Sequence, residues 1–299
     1  MTTPALAALR AHYPEAEIVL LANPLVAQLF TFHSCVDRVV IYDKKGIHAG
    51  IGGFWRIVTE LRAQHFDAAV LLQNAIEAAL LAVFAGIPCR AGYTTDARRL
   101  LLNYPVSVTS ADKQLHHTDY YLHLLGQLGI NGGDEKLRLD CSVEEQQWAK
   151  AMLASDERHD RVIAINPGAA YGSAKRWFPE RFALVADMLA KRYNAQILLT
   201  GAPAETDIGA DIVGAMDSTV INMIGQTSVR QMMSLLAQCE LLITNDSGPM
   251  HVAAAFDVPI VAVFGPTDHT TTCPASDNVK IVRKDTECAP CLLRQWGIN

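Results

Sequence analysis

Three short segments combine phosphate-binding residue types with glycines that let a ligand approach the backbone. In the first, Leu241–Thr267, an apolar run is followed by Asp246, Ser247, Gly248 and His251. Gly248 permits close backbone approach, and Asp246 or Ser247 can cap the helix that follows. Backbone N–H groups at such a helix start, together with the helix dipole, attract anions. The segment therefore predicts a pyrophosphate site, with His251 directed toward it.

The second segment, Asn166–Pro179, also lies between an apolar run and a helical pattern. Its small residues, including Gly168, Ala169 and Ala170, leave the backbone accessible. Lys175 supplies a mobile cation, and a lysine beside a diphosphate stabilises a departing nucleoside diphosphate in a group transfer. The alternative is that Lys175 is a solvated loop lysine.

The third segment, Leu199–Glu205, ends a strand at Gly201 and places Glu205 in the first turn of the next helix. A carboxylate there can bind ribose hydroxyls, or it can simply complement the helix dipole. The residues by themselves leave both alternatives open.

The elements that carry these segments alternate along the chain. Short apolar runs, such as residues 17–22, 38–42 and 67–72, are separated by helical patterns, which is typical of βαβ units and a parallel sheet. The pattern predicts an α/β protein of two Rossmann-like domains with a cleft between them. The polar run Ser155–Arg161 predicts the boundary, with domains at 1–155 and 156–299.

The first domain begins with a helical pattern at Pro4–His12, whereas a doubly wound domain normally starts with a central strand. We therefore expect that the first strand of this domain is missing from the sequence. No strand followed by a GxGxxG loop occurs, which argues against a dehydrogenase.

Composition narrows the class of protein. The net charge of −6 over 299 residues argues against a dedicated nucleic-acid binder. No apolar run approaches the ~18 residues of a membrane span, and no secretory signal is visible. Together with seven scattered cysteines, this predicts a cytoplasmic protein. Cys288 and Cys291, with Cys273 upstream, form too weak a pattern for zinc, so thiols are expected.

The three segments together resemble glycosyltransferase family 9, the bacterial heptosyltransferases. The resemblance rests on NDSGPMHVAAA, PIVAVFGPT and PGAAYGSAKRWFP, and also on FAGIPCRAGY and RRLLLN in the first half. The PGAAYGSAKRWFP segment is most similar to the heptosyltransferase II subgroup. The resemblance implies a GT-B fold, with the acceptor in the first domain and the nucleotide sugar in the second.

The resemblance also implies an inverting transfer of L-glycero-D-manno-heptose from ADP-heptose to heptosyl-Kdo–lipid A. Such an enzyme requires no cofactor, although assistance by Mg²⁺ stays open. It would work at the inner face of the inner membrane and contact the membrane only through the lipid acceptor. We expect no nucleic-acid partner.

Site residues follow from the resemblance position by position. Lys175 matches the lysine that contacts the leaving phosphate, and Glu205 matches the carboxylate that binds the donor ribose. The remaining expected donor contacts are Asp246, Ser247, Gly248, His251, Ala169, Ala170, Gly225, Gln226 and Thr227. On the acceptor side, one alternative is a basic rim for lipid A phosphates, with Arg98 as its best member.

The sequence departs from the family pattern at both ends. The family places its general base, an aspartate, just before the helix that corresponds to Thr2–Leu6, and the family continues beyond the equivalent of Asn299. We expect a chain that lacks these parts, in which the base is unknown and turnover is weak. The alternatives are a GT-B enzyme using a UDP- or GDP-sugar, or a truncated, non-catalytic nucleotide-binding chain.

Overall fold

The structure is a computed structural model that describes residues 1–154, 159, 161–284 and 290–291. The chain divides into two units, Met1–Glu135 and Lys136–Asn299. The helix at Val143–Leu153 therefore groups with the second unit, whereas the sequence prediction assigned it to the first domain. This helix packs on the helix Val229–Leu236 of the second unit, and its Glu145 forms an ion pair with Arg230.

The first unit alternates helices and strands. Its helices are α1 (Thr3–His12), α2 (Pro24–Leu29), α3 (Gly50–Arg62), α4 (Ile76–Phe84) and α5 (His117–Gln127). Its strands are β1 (Val19–Ala22), β2 (Arg38–Ile41), β3 (Ala68–Leu71), β4 (Cys89–Tyr93) and β5 (Tyr104–Val106). The apolar residues of α3 recur at helical spacing, so that Ile57, Val58 and Leu61 are buried against α4.

The strands of the first unit form two separate parallel sheets, β1-β2 and β3-β4-β5. A cavity of about 740 Å³ is lined by residues of both β1 and β3 and by the start of α1. Among the described residues no strand joins the two sheets.

The second unit has one six-stranded sheet, in which every pair is parallel. Its strands are β6 (Arg161–Asn166), β7 (Ala195–Leu199), β8 (Val220–Asn222), β9 (Leu241–Asn245), β10 (Ile260–Val263) and β11 (Val279–Val282). Its helices are α6 (Val143–Leu153), α7 (Pro179–Tyr193), α8 (Thr206–Ala215), α9 (Val229–Leu236), α10 (Gly248–Ala254) and α11 (His269–Thr272). The strand order β11-β10-β9-β6-β7-β8 is the doubly wound order.

The core of the second unit lies between this sheet and α7. Phe182, Ala183 and Ala186 of α7 are fully buried against Ile165 and Ile197 of the central strands. The central strands are buried on both faces, which explains why they are continuous apolar runs in the sequence. This rigid sheet fixes the positions of the loops at its carboxyl edge.

Candidate functional site

The three predicted segments meet at the carboxyl edge of the second sheet. The chain order reverses between β6 and β9, which lie side by side in the sheet although two strands separate them in sequence. Ligands of open α/β sheets bind in the crevice at such a switch point, outside the carboxyl ends of the strands. The loops after β6, β7, β8 and β9 all start at this edge, and they contain the predicted donor-site residues.

Lys175 and Asp246 form an ion pair at this edge. The Lys175 Nζ lies 2.6 Å from Asp246 Oδ2, and the two side chains are only 13% and 6% exposed. The Thr267 hydroxyl also donates to Asp246 Oδ2. The Lys175 ammonium lies 4.8 Å from the centre of the Tyr171 ring. Lys175 is therefore held in place by its neighbours, and the alternative of a solvated loop lysine is wrong.

Buried asparagines at the ends of β6 and β9 connect the two loops. Asn245 Nδ2 donates to the Pro167 carbonyl at 2.7 Å, and its Oδ1 accepts from the Trp177 N–H at 3.0 Å. Asn166 Nδ2 donates to the Thr200 carbonyl at 2.9 Å, and its Oδ1 accepts from the Ser247 hydroxyl at 3.2 Å. Each asparagine is the last residue of its strand, so its side chain can bridge neighbouring loops. Neither asparagine is among the site residues predicted from the sequence.

The carboxylate of Glu205 fits against two glycines. Glu205 is buried, follows β7 in a short 3-10 turn, and accepts from the Ala202 N–H at 2.8 Å. A Cβ added to Gly168 would lie about 1.9 to 2.1 Å from the three carboxylate atoms, and one added to Gly201 would lie 2.9 Å from Oε2. Only glycine fits at Gly168 with the carboxylate in this position.

The loop after β8 joins the same edge. The Gly225 N–H donates to the Gly201 carbonyl at 3.0 Å, and Gly225 has a φ of +74°, which favours glycine. Gln226 donates from Nε2 to the Asn222 carbonyl at 2.8 Å, and Gln226 is exposed while Thr227 is half-buried. The predicted turn of Gly225, Gln226 and Thr227 thus lies next to the Glu205 loop.

The two alanines of the β6 loop differ in exposure. Ala169 is buried, and its carbonyl accepts from Arg176 Nη2 at 3.3 Å. Ala170 is exposed. Arg176 therefore braces the loop, and Trp177 packs its ring on Phe182 at 5.2 Å between ring centres. Of the two alanines, Ala170 is the more accessible to a ligand.

The turn before α10 differs from the sequence prediction in one respect. Ser247 is the N-cap residue, but its side chain makes no capping hydrogen bond, because its hydroxyl is engaged with Asn166 and Thr244. Asp246 is engaged with Lys175 rather than with the helix. The predicted cap by either side chain is therefore wrong. Gly248 is exposed, and His251 is half-buried on α10.

Arg98 lies in the interior of the first unit, where it binds backbone carbonyls. Its side chain is fully buried, and it donates to the carbonyls of Tyr93 at 2.8 Å and Ala75 at 3.3 Å and to that of Gln73. Burial lowers the pKa of Arg98. A buried guanidinium surrounded by backbone carbonyls cannot contact an acceptor phosphate, so the structure corrects the prediction that Arg98 lies on an acceptor rim.

Three aspartates of the first unit serve as loop braces. The Asp37 carboxylate accepts from the Ile18 N–H at 2.7 Å and pairs with Arg10, and these two contacts lower its pKa. Asp43 accepts from the Gly46 N–H at 2.9 Å, and Asp96 accepts from the Ile76 N–H at 2.8 Å. We assign none of them as a general base.

In the part of the chain that the structure describes, no three His, Cys, Asp or Glu residues are close enough together to hold a metal ion. Cys288 lies outside the described residues, whereas Cys273 and Cys291 are half-buried. No described helix has both the length and the apolar character that crossing a membrane requires.

The family assignment comes from comparison with known proteins. The model of glycosyltransferase family 9 (heptosyltransferase) matches residues 54–296. The chain belongs to glycosyltransferase family 9. Lipopolysaccharide heptosyltransferase 2 of Escherichia coli is 31% identical to this family 9 chain over 287 residues, which cover 92% of the chain and 81% of the relative. The enzyme of the same name from Salmonella typhimurium is 30% identical over 285 residues, with the same coverage.

Solved structures agree with the family assignment. A family 9 glycosyltransferase from Veillonella parvula has a TM-score of 0.87 and 27% identity, and the match covers 95% of this chain and 83% of that one. The ADP-heptose lipopolysaccharide heptosyltransferase II of E. coli has a TM-score of 0.81 and 27% identity, covering 96% and 87%. These matches confirm the prediction of an α/β, GT-B protein of the heptosyltransferase family.

Proposed function

We propose that this family 9 glycosyltransferase transfers L-glycero-D-manno-heptose from ADP-heptose to the inner core of lipopolysaccharide, with heptosyl-Kdo–lipid A as acceptor. The observation that carries the proposal is the pairing of Lys175 with Asp246 at the switch point of the second sheet. The names of the relatives at about 30% identity supply the heptosyl group and the lipopolysaccharide acceptor class, and the name of the E. coli structure supplies ADP-heptose as the donor.

In this proposal the second unit binds the donor. Lys175 lies beside the diphosphate, where its ammonium stabilises the charge that develops on departing ADP. Asp246 holds the ammonium at the carboxyl edge before the donor arrives. Ser247, Gly248 and His251 then lie on the same side as the phosphates, in the turn after β9 and the first turn of α10.

The adenosine would extend along the edge toward β7 and β8. The buried Glu205 carboxylate accepts hydrogen bonds from the ribose hydroxyls, and the packing against Gly168 supports this role because it fixes the carboxylate in one position. Ala169, Ala170 and the turn of Gly225, Gln226 and Thr227 would line the nucleoside pocket.

The reaction is a single displacement at the anomeric carbon. A hydroxyl oxygen of the acceptor forms the new bond to C1, the bond between C1 and the β-phosphate oxygen breaks, and the configuration inverts. The acceptor proton leaves to a base, and ADP departs with the bonding electrons. The first unit would bind the acceptor, which is part of a lipid, so we propose work at the inner face of the inner membrane.

A transfer assay tests the proposal. Purified chain is incubated with ADP-heptose and heptosyl-Kdo–lipid A, and mass spectrometry measures the acceptor. The expected product is heavier by one heptosyl residue, with ADP released in equal amount. Parallel reactions with UDP- and GDP-sugars test the other donor classes. Transfer from one of those, with none from ADP-heptose, would contradict the proposal.

A further inference from the structure

Helix α3 presents an unusually exposed apolar surface. Ile51 is 82% exposed and Trp55 is 47% exposed, and the two lie four residues apart on one face of the helix. The Trp55 ring lies 5.0 Å from the ring of Phe84 on α4, which is 38% exposed. Ile47, on the loop that leads into α3, is 58% exposed. We call these four residues the α3 patch.

The charges near the patch contrast with those of the whole chain. Residues 43–62 contain four Lys or Arg and two Asp or Glu, whereas the net charge of the chain is −6. Lys45 lies on the loop before α3, and Arg62 lies at the end of α3 beside Phe84, whose carbonyl accepts from Arg62 at 2.5 Å. Both basic residues are exposed. The patch therefore has basic residues at both ends.

This combination fits an anionic lipid surface. Tryptophan prefers the membrane interface, and helices that lie in the interface combine apolar residues with Lys and Arg. A second copy of the chain is the alternative occupant, and the experiment distinguishes it from a lipid surface. Electrostatic attraction to acidic head groups would orient the patch, and burial of its apolar side chains would hold it.

We propose that the α3 patch docks the first unit on the surface of an anionic phospholipid bilayer. The sequence predicts membrane contact only through the lipid acceptor; the patch adds a direct contribution by the protein. Docking would serve the proposed function, on which this purpose rests, because it brings the chain to the surface that holds a lipid acceptor. Binding to plain vesicles needs neither donor nor acceptor, so this inference and the proposed function can fail separately.

Vesicle sedimentation tests the inference. The full chain is mixed with vesicles of phosphatidylglycerol and phosphatidylethanolamine, and in parallel with vesicles of phosphatidylcholine alone. We expect binding to the acidic vesicles that weakens with salt and is much weaker on phosphatidylcholine. The double variant Ile51→Ser with Trp55→Ser should bind acidic vesicles about tenfold to hundredfold more weakly, since it removes the two central apolar side chains.

A matched control is available on α7. Leu184 and Met188 are also an exposed apolar pair four residues apart, 63% and 66% exposed. The double variant Leu184→Ser with Met188→Ser should bind acidic vesicles like the wild type. The single variant Ile51→Ser guards against misfolding, because its side chain is almost wholly exposed, and it should weaken binding about threefold to tenfold.

Three results would overturn the inference. The first is an absence of vesicle binding by the folded wild type. The second is equal binding by the α3 and α7 double variants. The third is a wild type that self-associates in sedimentation velocity and becomes monomeric only in the α3 variant, without binding vesicles; the patch would then be an interface between two copies of the chain.

Discussion

Replacing Gly168 with alanine should displace the carboxylate of Glu205. The added Cβ would lie about 1.9 to 2.1 Å from three atoms at the end of that side chain. Because the end of a glutamate side chain can rotate away, the backbone need not move far. The displaced carboxylate loses the hydrogen bond from the Ala202 N–H, so we expect a loss of about 1 kcal/mol in the free energy of unfolding.

The effect on ligand binding should be larger than the effect on stability. If Glu205 binds the ribose, its displacement removes a hydrogen bond to a charged acceptor, which contributes about 1.5 to 3 kcal/mol. This corresponds to an increase of about tenfold to a hundredfold in the Kd for ADP, measured by titration calorimetry. Glu205→Ala should produce a loss of the same size.

A double-mutant cycle separates displacement of the carboxylate from general damage. Once Glu205 is alanine, the Cβ at Gly168 has no carboxylate to displace, so the double variant should bind ADP as the single Glu205→Ala variant does. Gly214→Ala on α8 is the control, because its Cβ meets nothing within 4 Å. Additive losses in the double variant, or unchanged ADP affinity in Gly168→Ala, would refute the reasoning.

Three further predictions concern two ion pairs and the two separate sheets of the first unit. Lys175→Met should raise the Kd for ADP, measured by calorimetry, about tenfold to a hundredfold, and it should lower the free energy of urea unfolding by about 3 kcal/mol, because Asp246 is left buried without its cation. The control Lys191→Met breaks an exposed ion pair and should change neither the Kd nor the free energy of unfolding. Glu145→Gln should lower the free energy of unfolding by about 1 to 2 kcal/mol at pH 7, because the hydrogen bond from Arg230 lowers the pKa of Glu145. This stabilisation is present above pH ~4.3 and is lost as the pH falls through the lowered pKa, so the unfolding free energies of the variant and the wild type in urea should converge at acid pH. In hydrogen exchange, the amides of β1 and β3, each with one neighbouring strand, should exchange faster than those of β6 and β9, each with two. Equal protection would contradict the description of the first unit as two separate sheets.

The elements with strong local signals were predicted well. A proline at the first helical position and regular apolar spacing predict a helix over Pro179–Tyr193, and the structure has it with those bounds. The spacing of Ser142 and Glu145 predicts a capping box, and the structure contains it. In both cases the interactions that define the element are local in sequence.

Elements that depend on tertiary contacts were missed. The strand Cys89–Tyr93 contains arginine and glycine, and Tyr104–Val106 contains proline, so neither has the apolar run of a buried strand. Their partners in the sheet, rather than their own residues, make them strands. The three-residue strand Val220–Asn222 is too short to show a periodicity.

The site was predicted in its residue types but not in its internal contacts. Glycines, Lys175 and the acidic residues indicated a phosphate-binding edge. That Asp246 pairs with Lys175, rather than capping a helix, depends on the adjacency of β6 and β9, which are far apart in sequence. The burial of Arg98 likewise depends on carbonyls from two separate segments, the loop between β3 and α4 and the end of β4. The one signal in the sequence for Asn166 and Asn245 was that each is a polar residue at the end of a central strand.

The most direct test of the central claim is a calorimetric titration of the purified, folded chain with ADP-heptose, with UDP-N-acetylglucosamine as the control. The account predicts one site per chain that binds ADP-heptose selectively and is weakened at least tenfold by Lys175→Met. Equal or tighter binding of the UDP-sugar, or no binding of either by a chain shown to be folded, would contradict it.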